Sequence, residues 1–121
     1  MILGMRSAIY PVGDIAAAKR WYAEMLGQEP YFDQPFYVGF SVGGFELGLL
    51  PDGQAAVEGT RALWGVADID AAFARLLALG ATAVEHVADV GDGIKVAAVC
   101  DPFGNRFGLI QNPHFDVKAV R

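Results

Sequence analysis

The chain has 121 residues, 54% of them hydrophobic, which fits one domain with a sizeable core. Its formal net charge of −5 and pI of about 4.8 argue against nucleic acid, whose phosphates require a cationic surface, and against an anionic membrane face. Because it has no apolar run near the roughly 20 residues of a membrane span, no signal-peptide pattern and a single cysteine, Cys100, we expect a cytoplasmic protein without an intrachain disulfide.

The first half of the sequence predicts a strand, a helix and three further strands. Asp14 is suited to cap the helix, and Gly27 fits the left-handed residue that ends it. Apolar residues between them recur at the spacing of one buried helix face, namely Ala18, Trp21, Tyr22, Met25 and Leu26. The strand candidates are residues 6–12 before the helix and 30–32, 36–42 and 44–50 after it.

The second half repeats this order. The string Val12-Gly13-Asp14-Ile15 returns as Val66-Ala67-Asp68-Ile69, again between a strand candidate and a helical pattern. Asp68 is the expected cap and Gly80 the expected stop. The buried face of the second helix is predicted to carry Ile69, Ala72, Phe73, Leu76 and Leu77. The strand candidates are residues 61–66 before the helix and 83–86, 93–100 and 105–111 after it.

Two halves with the same order of elements indicate a duplicated α+β domain rather than a plain α+β arrangement. Each half is a βαβββ module, at about residues 5–50 and 60–111, and residues 51–60 form the linker. Neither module could bury its helix and sheet well alone, so we expect the two sheets to associate. The sequence leaves open whether the modules pair within one chain or across two.

Three groups of residues carry a resemblance to a known family. Val12-x-Asp14 is followed by Trp21-Tyr22 and Leu26-Gly27, the second helix begins Val66-x-Asp68-Ile69-Asp70-Ala71, and Asp101-Pro102-Phe103-Gly104-Asn105 precedes the last strand. In this order and spacing they resemble the vicinal oxygen chelate superfamily of glyoxalases, bleomycin-resistance proteins and extradiol dioxygenases. The resemblance implies two βαβββ modules that form a curved mixed sheet around a cleft. It does not fix the function, because one fold serves many chemistries.

In metal-dependent members of that superfamily, four side chains from four strands converge on one divalent ion. The resemblance aligns those positions with Ser7, Glu46, Arg61 and Gly108. Of these only Glu46 is a good ligand, because serine is a poor neutral ligand, glycine has no side chain and a guanidinium repels a cation. The only histidines, His86 and His114, fall in the sixth strand or the loop after it and in the C-terminal tail. We therefore expect a member with no metal and no cofactor.

Strand alternation predicts which residues line the cleft. One face of each strand should pack under a helix, with Tyr10 and Trp64 among its residues, and the other face should line a mostly apolar hollow. The predicted lining is Ser7, Ile9, Phe40, Glu46, Gly48, Leu50, Arg61, Leu63, Gly108 and Ile110. Phe40 and Tyr37 lie on opposite faces of one strand, so the pattern does not decide which of them reaches the cleft. Gly48 and Gly108 are expected to leave room in it.

Glu46 and Arg61 are the charged pair of this predicted cleft and the candidate catalytic residues. They form either a structural ion pair or a site for a ligand. We expect a metal-independent protein that binds an apolar or drug-like small molecule in the cleft, as a homodimer. The alternative is a lyase, isomerase or dioxygenase-like enzyme of the same superfamily in which Glu46 is the base and Arg61 stabilises an enolate or carboxylate. A metal-dependent glyoxalase or dioxygenase is a third possibility.

Overall fold

A computed structural model describes residues 1–53, 59–102 and 106–120. It has an α+β fold with two helices and eight strands, in the order of two successive βαβββ modules. The first module has β1 (Ile2–Pro11), α1 (Ile15–Leu26), β2 (Phe32–Gln34), β3 (Tyr37–Val42) and β4 (Phe45–Leu50). The second has β5 (Arg61–Val66), α2 (Ile69–Ala78), β6 (Thr82–Gly91), β7 (Ile94–Cys100) and β8 (Arg106–Gln111), and a 3-10 turn follows (Val117–Ala119).

The chain divides into two compact units that are not continuous in sequence. We call the first the N-terminal unit; it comprises Ser7–Arg61 and the residues from Asp116 onward. The C-terminal unit comprises Ala62–Phe115 and Met1–Arg6. Strand β1 therefore contributes its first residues to one unit and its last residues to the other. Within the described residues, no helix is both long and apolar enough to span a membrane.

The N-terminal unit has the strand order β2-β3-β4-β1 with α1 packed on one face. Strands β1 and β4 are parallel, and the other neighbours are antiparallel. Helix α1 begins and ends as the sequence predicts. The Asp14 carboxylate accepts from the Ala17 N–H at 3.0 Å, and Gly27 closes the helix with a φ of 68°. The core under the helix is built on Val38, Phe40 and Leu49.

The C-terminal unit has the strand order β5-β8-β7-β6 with α2 on one face. The Asp68 carboxylate accepts from the Ala71 N–H at 3.1 Å, and the Gln111 side chain accepts from the Ile69 N–H at 2.9 Å. Gly80, the predicted stop, lies one residue beyond the helix cap with a φ of 103°. The buried core of this unit is Val66, Ile69, Ala72, Phe73, Ala97, Val99 and Leu109, and Trp64 packs against it as expected.

Four sequence predictions about the elements need correction or lie outside the described residues. Trp21 and Met25, predicted on the buried face of α1, are 60% and 54% exposed in the chain. The face that packs instead carries Ile15, Ala18, Tyr22, Ala23 and Leu26. Strand β1 begins four residues earlier than predicted, and β6 continues to Gly91 through several bulges. Most of the predicted turn at 101–105 lies outside the described residues.

Candidate functional site

The face of the N-terminal sheet opposite α1 carries the predicted acidic residue. Because Tyr10, Val38, Leu47 and Leu49 pack against α1, alternation puts Ser7, Ile9, Glu46 and Gly48 on the other face. The register makes these residues direct neighbours, with Ser7 opposite Glu46 and Ile9 opposite Gly48. Ser7 is 8% exposed. The first and fourth strands therefore bring these predicted residues side by side.

The carboxylate of Glu46 is held by two tyrosine hydroxyls. The hydroxyl of Tyr31 donates to Oε1 and the hydroxyl of Tyr37 donates to Oε2. The two donors approach from different elements, since Tyr31 precedes β2 and Tyr37 begins β3. A hydrogen bond to an ionised group is stronger than one between neutral groups, so this arrangement fixes the orientation of a charged acceptor.

Both phenols are held in their neutral form. Burial, the hydrogen bond to Glu46 and the charge of that carboxylate raise the pKa of Tyr31. Burial, the charge of Glu46, the hydrogen bond and the neighbouring Tyr31 raise the pKa of Tyr37. Tyr31 as a whole is 62% exposed, so the burial of its ring is only partial. Near neutral pH the two tyrosines are therefore hydrogen-bond donors, not bases or nucleophiles.

Two glycines form the floor under the tyrosine rings. Gly39 and Gly48 lie directly opposite each other on β3 and β4. A Cβ added at Gly39 would lie 3.1 Å from a ring carbon of Tyr31 and 3.1 Å from one of Tyr37. At Gly48 a Cβ would meet the Tyr37 hydroxyl and would lie 2.7 Å from the Ile9 side chain. Only a surface without side chains lets the two rings lie this close to the strands.

This packing corrects the prediction that Gly48 and Gly108 leave room in a hollow. The space above Gly48 is taken by Tyr37 and Ile9. A Cβ at Gly108 would lie 2.7 Å from the Leu63 side chain and 2.8 Å from the Ala62 carbonyl oxygen. Both glycines therefore allow a close approach of their neighbours.

Phe40 does not belong with the cleft residues. It is 0% exposed and lies in the core beneath α1 with Val38 and Leu49. Tyr37 lies on the opposite face of β3, and its side chain is the one from this strand that reaches Glu46. The choice that the alternation pattern left open is thus decided by which face α1 covers.

Further aromatic rings lie beside the two tyrosines. The Phe32 ring is 6.0 Å from that of Tyr37 and 6.1 Å from that of Phe36, both in edge-to-face arrangements. Phe32 is 38% and Phe36 is 64% exposed. We call Tyr31, Phe32, Phe36, Tyr37 and Glu46 the acidic aromatic cluster. It combines one carboxylate with several ring faces that solvent can reach.

The remaining predicted residues lie at the end of β4 and in the C-terminal unit. Leu50 ends β4 opposite Pro11. In the C-terminal unit, Leu63 is opposite Gly108, and Gly65 is opposite Ile110, on the face away from α2. The structure therefore brings Leu63, Gly108 and Ile110 together as alternation predicts.

The predicted pair of Glu46 with Arg61 stays a prediction. The partners that the structure gives the Glu46 carboxylate are Tyr31 and Tyr37, while Arg61 begins β5 and is partly buried. Among the described residues, no group of three or more histidine, cysteine, aspartate or glutamate side chains is arranged to hold a metal ion. A carboxylate with two phenols lacks the ligand set of the usual zinc or calcium site.

Sequence reasoning missed Tyr31 as a functional residue. It lies between a proline and a short strand, where no periodicity marks a face. A shallow surface depression of about 300 Å³ also occurs in this unit, lined by Lys19, Arg20, Ala23, Glu24 and Glu29. It shares no residue with the acidic aromatic cluster and has charges of both signs, so we do not assign the site to it.

The chain belongs to the Glyoxalase/Bleomycin resistance protein/Dioxygenase superfamily, which its residues 4–109 match. A search of curated proteins finds no match. The family assignment agrees with the resemblance in the sequence and with the two βαβββ modules of the fold.

Solved structures of several proteins share this fold at low sequence identity. A variant of Streptomyces coelicolor methylmalonyl-CoA epimerase in complex with 2-nitronate-propionyl-CoA is 17% identical with a TM-score of 0.76, over 96% of this chain and 99% of that chain. Methylmalonyl-CoA epimerase from Mycobacterium tuberculosis is 20% identical with a TM-score of 0.69, over 91% and 88%. A superfamily member from Vibrio splendidus 12B01 is 20% identical with a TM-score of 0.64, over 89% and 99%.

Proposed function

We propose that this protein is a metal-independent small-molecule-binding member of its superfamily, and that the acidic aromatic cluster binds the ligand. The observation that carries the proposal is the Glu46 carboxylate fixed between the hydroxyls of Tyr31 and Tyr37. A fixed negative charge beside exposed aromatic rings suits an apolar molecule with a cationic or hydrogen-bond-donating group, because the ring faces attract cations as well. The formal net charge of −5 favours the same class of ligand and disfavours nucleic acid.

A matched pair of ligands tests the charge preference. An aromatic ammonium compound and its neutral isostere are titrated by calorimetry against the unaltered protein, Glu46→Gln and Asp33→Asn. Asp33 is the control, since its carboxylate lies in the same unit, on β2, but is paired with Lys19 at 2.9 Å. Glu46→Gln should weaken binding of the ammonium compound about tenfold, the effect of one charge-assisted hydrogen bond. Equal affinities for the two compounds in all three proteins would refute the proposal.

The alternative function is an enzyme in which Glu46 removes a proton from a carbon acid. It has support from the fold, because solved structures of similar fold are named as methylmalonyl-CoA epimerases. Against it, each oxygen of Glu46 already accepts a tyrosine hydrogen bond, so the carboxylate is better suited to recognition than to proton abstraction. Deuterium exchange from solvent into a carbon acid, lost in Glu46→Gln, would establish the alternative.

We also propose that the protein is a cytoplasmic homodimer. Apolar side chains on the first residues of β1 support a partner surface, since Leu3 is 60% and Met5 is 48% exposed. Light scattering over a range of concentrations tests this. A constant monomer mass at micromolar concentration would exclude the dimer.

A further inference from the structure

Arg6 lies flat on the face of the C-terminal sheet that α2 leaves uncovered. A Cβ added at Gly65 would lie 2.6 Å from Arg6 Nε and 2.9 Å from its Cγ and Cζ, so only a glycine admits the arginine there. The Cζ atom is also 3.7 Å from the centroid of the Phe115 ring. Two contacts of its planar group, one with backbone and one with an aromatic ring, therefore hold the guanidinium in one orientation.

Most hydrogen-bond donors of this guanidinium have no acceptor among the residues that the structure describes. An arginine side chain carries five N–H donors, and Arg6 uses Nη1 to donate to the Met5 carbonyl oxygen at 3.1 Å. Within residues 1–53, 59–102 and 106–120, Arg6 is ion-paired with no carboxylate. By contrast, Arg106 is 3.1 Å from the Glu85 carboxylate. Arg6 is thus an oriented cation that has no carboxylate partner in the described part of the chain.

The surroundings of Arg6 strengthen an interaction with an anion. Gly65 is buried, and Ile110, its neighbour across the β5–β8 pair, is 8% exposed. Leu63 shares this face of β5 by alternation. A charge that rests on apolar surface is less screened than one in bulk water, so an oppositely charged group is attracted more strongly.

We propose that Arg6 is an anion-binding residue that takes a carboxylate or phosphate group of a small molecule through the edge of its guanidinium. Planar, paired N–H donors match two oxygens of such a group. Gly65 and Phe115 pre-orient the side chain, which reduces the entropy that binding must overcome. This site does not depend on the acidic aromatic cluster, whose ligand group is of the opposite charge.

Titration with inorganic phosphate and with acetate, at constant ionic strength and with chloride as reference, tests the proposal. Binding is followed by the Nε–Hε resonance of Arg6 in ¹H–¹⁵N spectra and by thermal denaturation. We expect a saturable shift of that resonance with at least one of the two anions, and the stronger response identifies the preferred group. A linear response without saturation, equal for phosphate, acetate and chloride, would overturn the proposal.

Three variants separate anion binding from a structural role. Arg6→Gln should abolish the anion-dependent rise in melting temperature, and Arg6→Lys, which keeps the charge but not the paired donors, should weaken binding about tenfold. Arg106→Gln is the matched control and should leave the response unchanged. If Arg6→Gln lowers the melting temperature but responds to phosphate and acetate as the unaltered protein does, Arg6 serves only to anchor Phe115 and the proposal is wrong.

Discussion

Tyr37 reaches Glu46 diagonally across two antiparallel strands. Glu46 lies opposite Ser41 in the register of β3 and β4, four residues from Tyr37 along β3. The tyrosine ring passes over Gly48, and its hydroxyl meets Oε2 of Glu46. The contact therefore requires a residue without a side chain at position 48. Tyr37, Gly48 and Glu46 depend on one another for this arrangement.

Removal of either hydroxyl should destabilise the protein, and Tyr37→Phe should cost more than Tyr31→Phe. Tyr37 is partly buried, so loss of its bond to a charged group should lower the free energy of unfolding by about 2 kcal/mol. Tyr31 is 62% exposed, so water can replace its hydroxyl and the loss should stay below about 1 kcal/mol. Urea unfolding of each variant measures the difference. A larger loss for Tyr31→Phe would contradict the burial argument.

The two tyrosines should make stability fall in alkaline solution. Their pKa values are raised in the folded state above the ordinary value of 10.0, so the unfolded chain loses these protons first. Their stabilising contribution is complete below pH 10 and is lost as the pH rises from there through the raised values. Urea melts across this range should show the decline.

The phenolate absorbance of the folded protein gives a second reading of the same effect. Tyr31 and Tyr37 should ionise only well above pH 10, after a tyrosine with the ordinary pKa would have done so. In Glu46→Gln the carboxylate charge is gone, so both should ionise at lower pH, while burial still holds them above the ordinary value. An unchanged titration curve in Glu46→Gln would show that the hydrogen bonds do not persist in solution.

Gly48→Ala should destabilise the protein although alanine is the better residue in most strands. The new methyl group would overlap the Tyr37 hydroxyl and the Ile9 side chain, so the free energy of unfolding should fall by about 1–3 kcal/mol. Gly39→Ala is the graded comparison, because its nearest contacts are looser, at 3.1 Å. Denaturant melts of both should rank Gly48→Ala as the more damaging change. The reverse order would mean that Tyr37 moves aside easily.

Phe40→Ala should act on stability alone. The ring is 0% exposed beneath α1, so its removal leaves a cavity and should cost about 3–5 kcal/mol. Phe40→Leu, a milder change, should keep the fold and bind an aromatic ammonium compound as the unaltered protein does. Calorimetry on Phe40→Leu provides the measurement. A large loss of affinity with little loss of stability would show that Phe40 takes part in ligand binding.

Chelation should leave the protein unchanged. Three of the four positions that the family resemblance aligns with metal ligands are Ser7, Arg61 and Gly108, which hold a divalent ion poorly. Thermal melts with and without a chelator should therefore coincide within error. About one zinc, nickel, iron or manganese per chain by elemental analysis, removed by the chelator with loss of an activity, would refute this.

The fold was predictable because its signals are local. Asp14 and Asp68 cap their helices as the sequence indicates, and alternation along β1 and β4 puts Ser7 and Glu46 on one face, where the register makes them neighbours. Trp21 was misassigned because α1 has apolar residues on more than one face. Spacing alone does not tell which of two overlapping stripes the sheet covers.

The candidate site was predictable only in its acidic residue. Its two tyrosines depend on a diagonal contact over Gly39 and Gly48, which strand alternation does not encode. Alternation identifies the face of the sheet on which a residue lies. The direction in which a long side chain points along that face depends on the size of the neighbouring side chains. Tyr31 lies outside any regular element, so no periodic pattern could assign it to a face.

The exchange of chain segments between the two units has a consequence for synthesis on the ribosome. The N-terminal unit includes residues from Asp116 onward, and Gly44 lies so close to them that an added Cβ would be 2.6 Å from the Val120 Cα. The C-terminal unit in turn combines Met1–Arg6 with Ala62–Phe115. The C-terminal unit therefore needs residues up to Phe115 and the N-terminal unit needs residues from Asp116 onward, so translation of one short stretch of chain completes both and the nascent protein acquires its two units together rather than in succession.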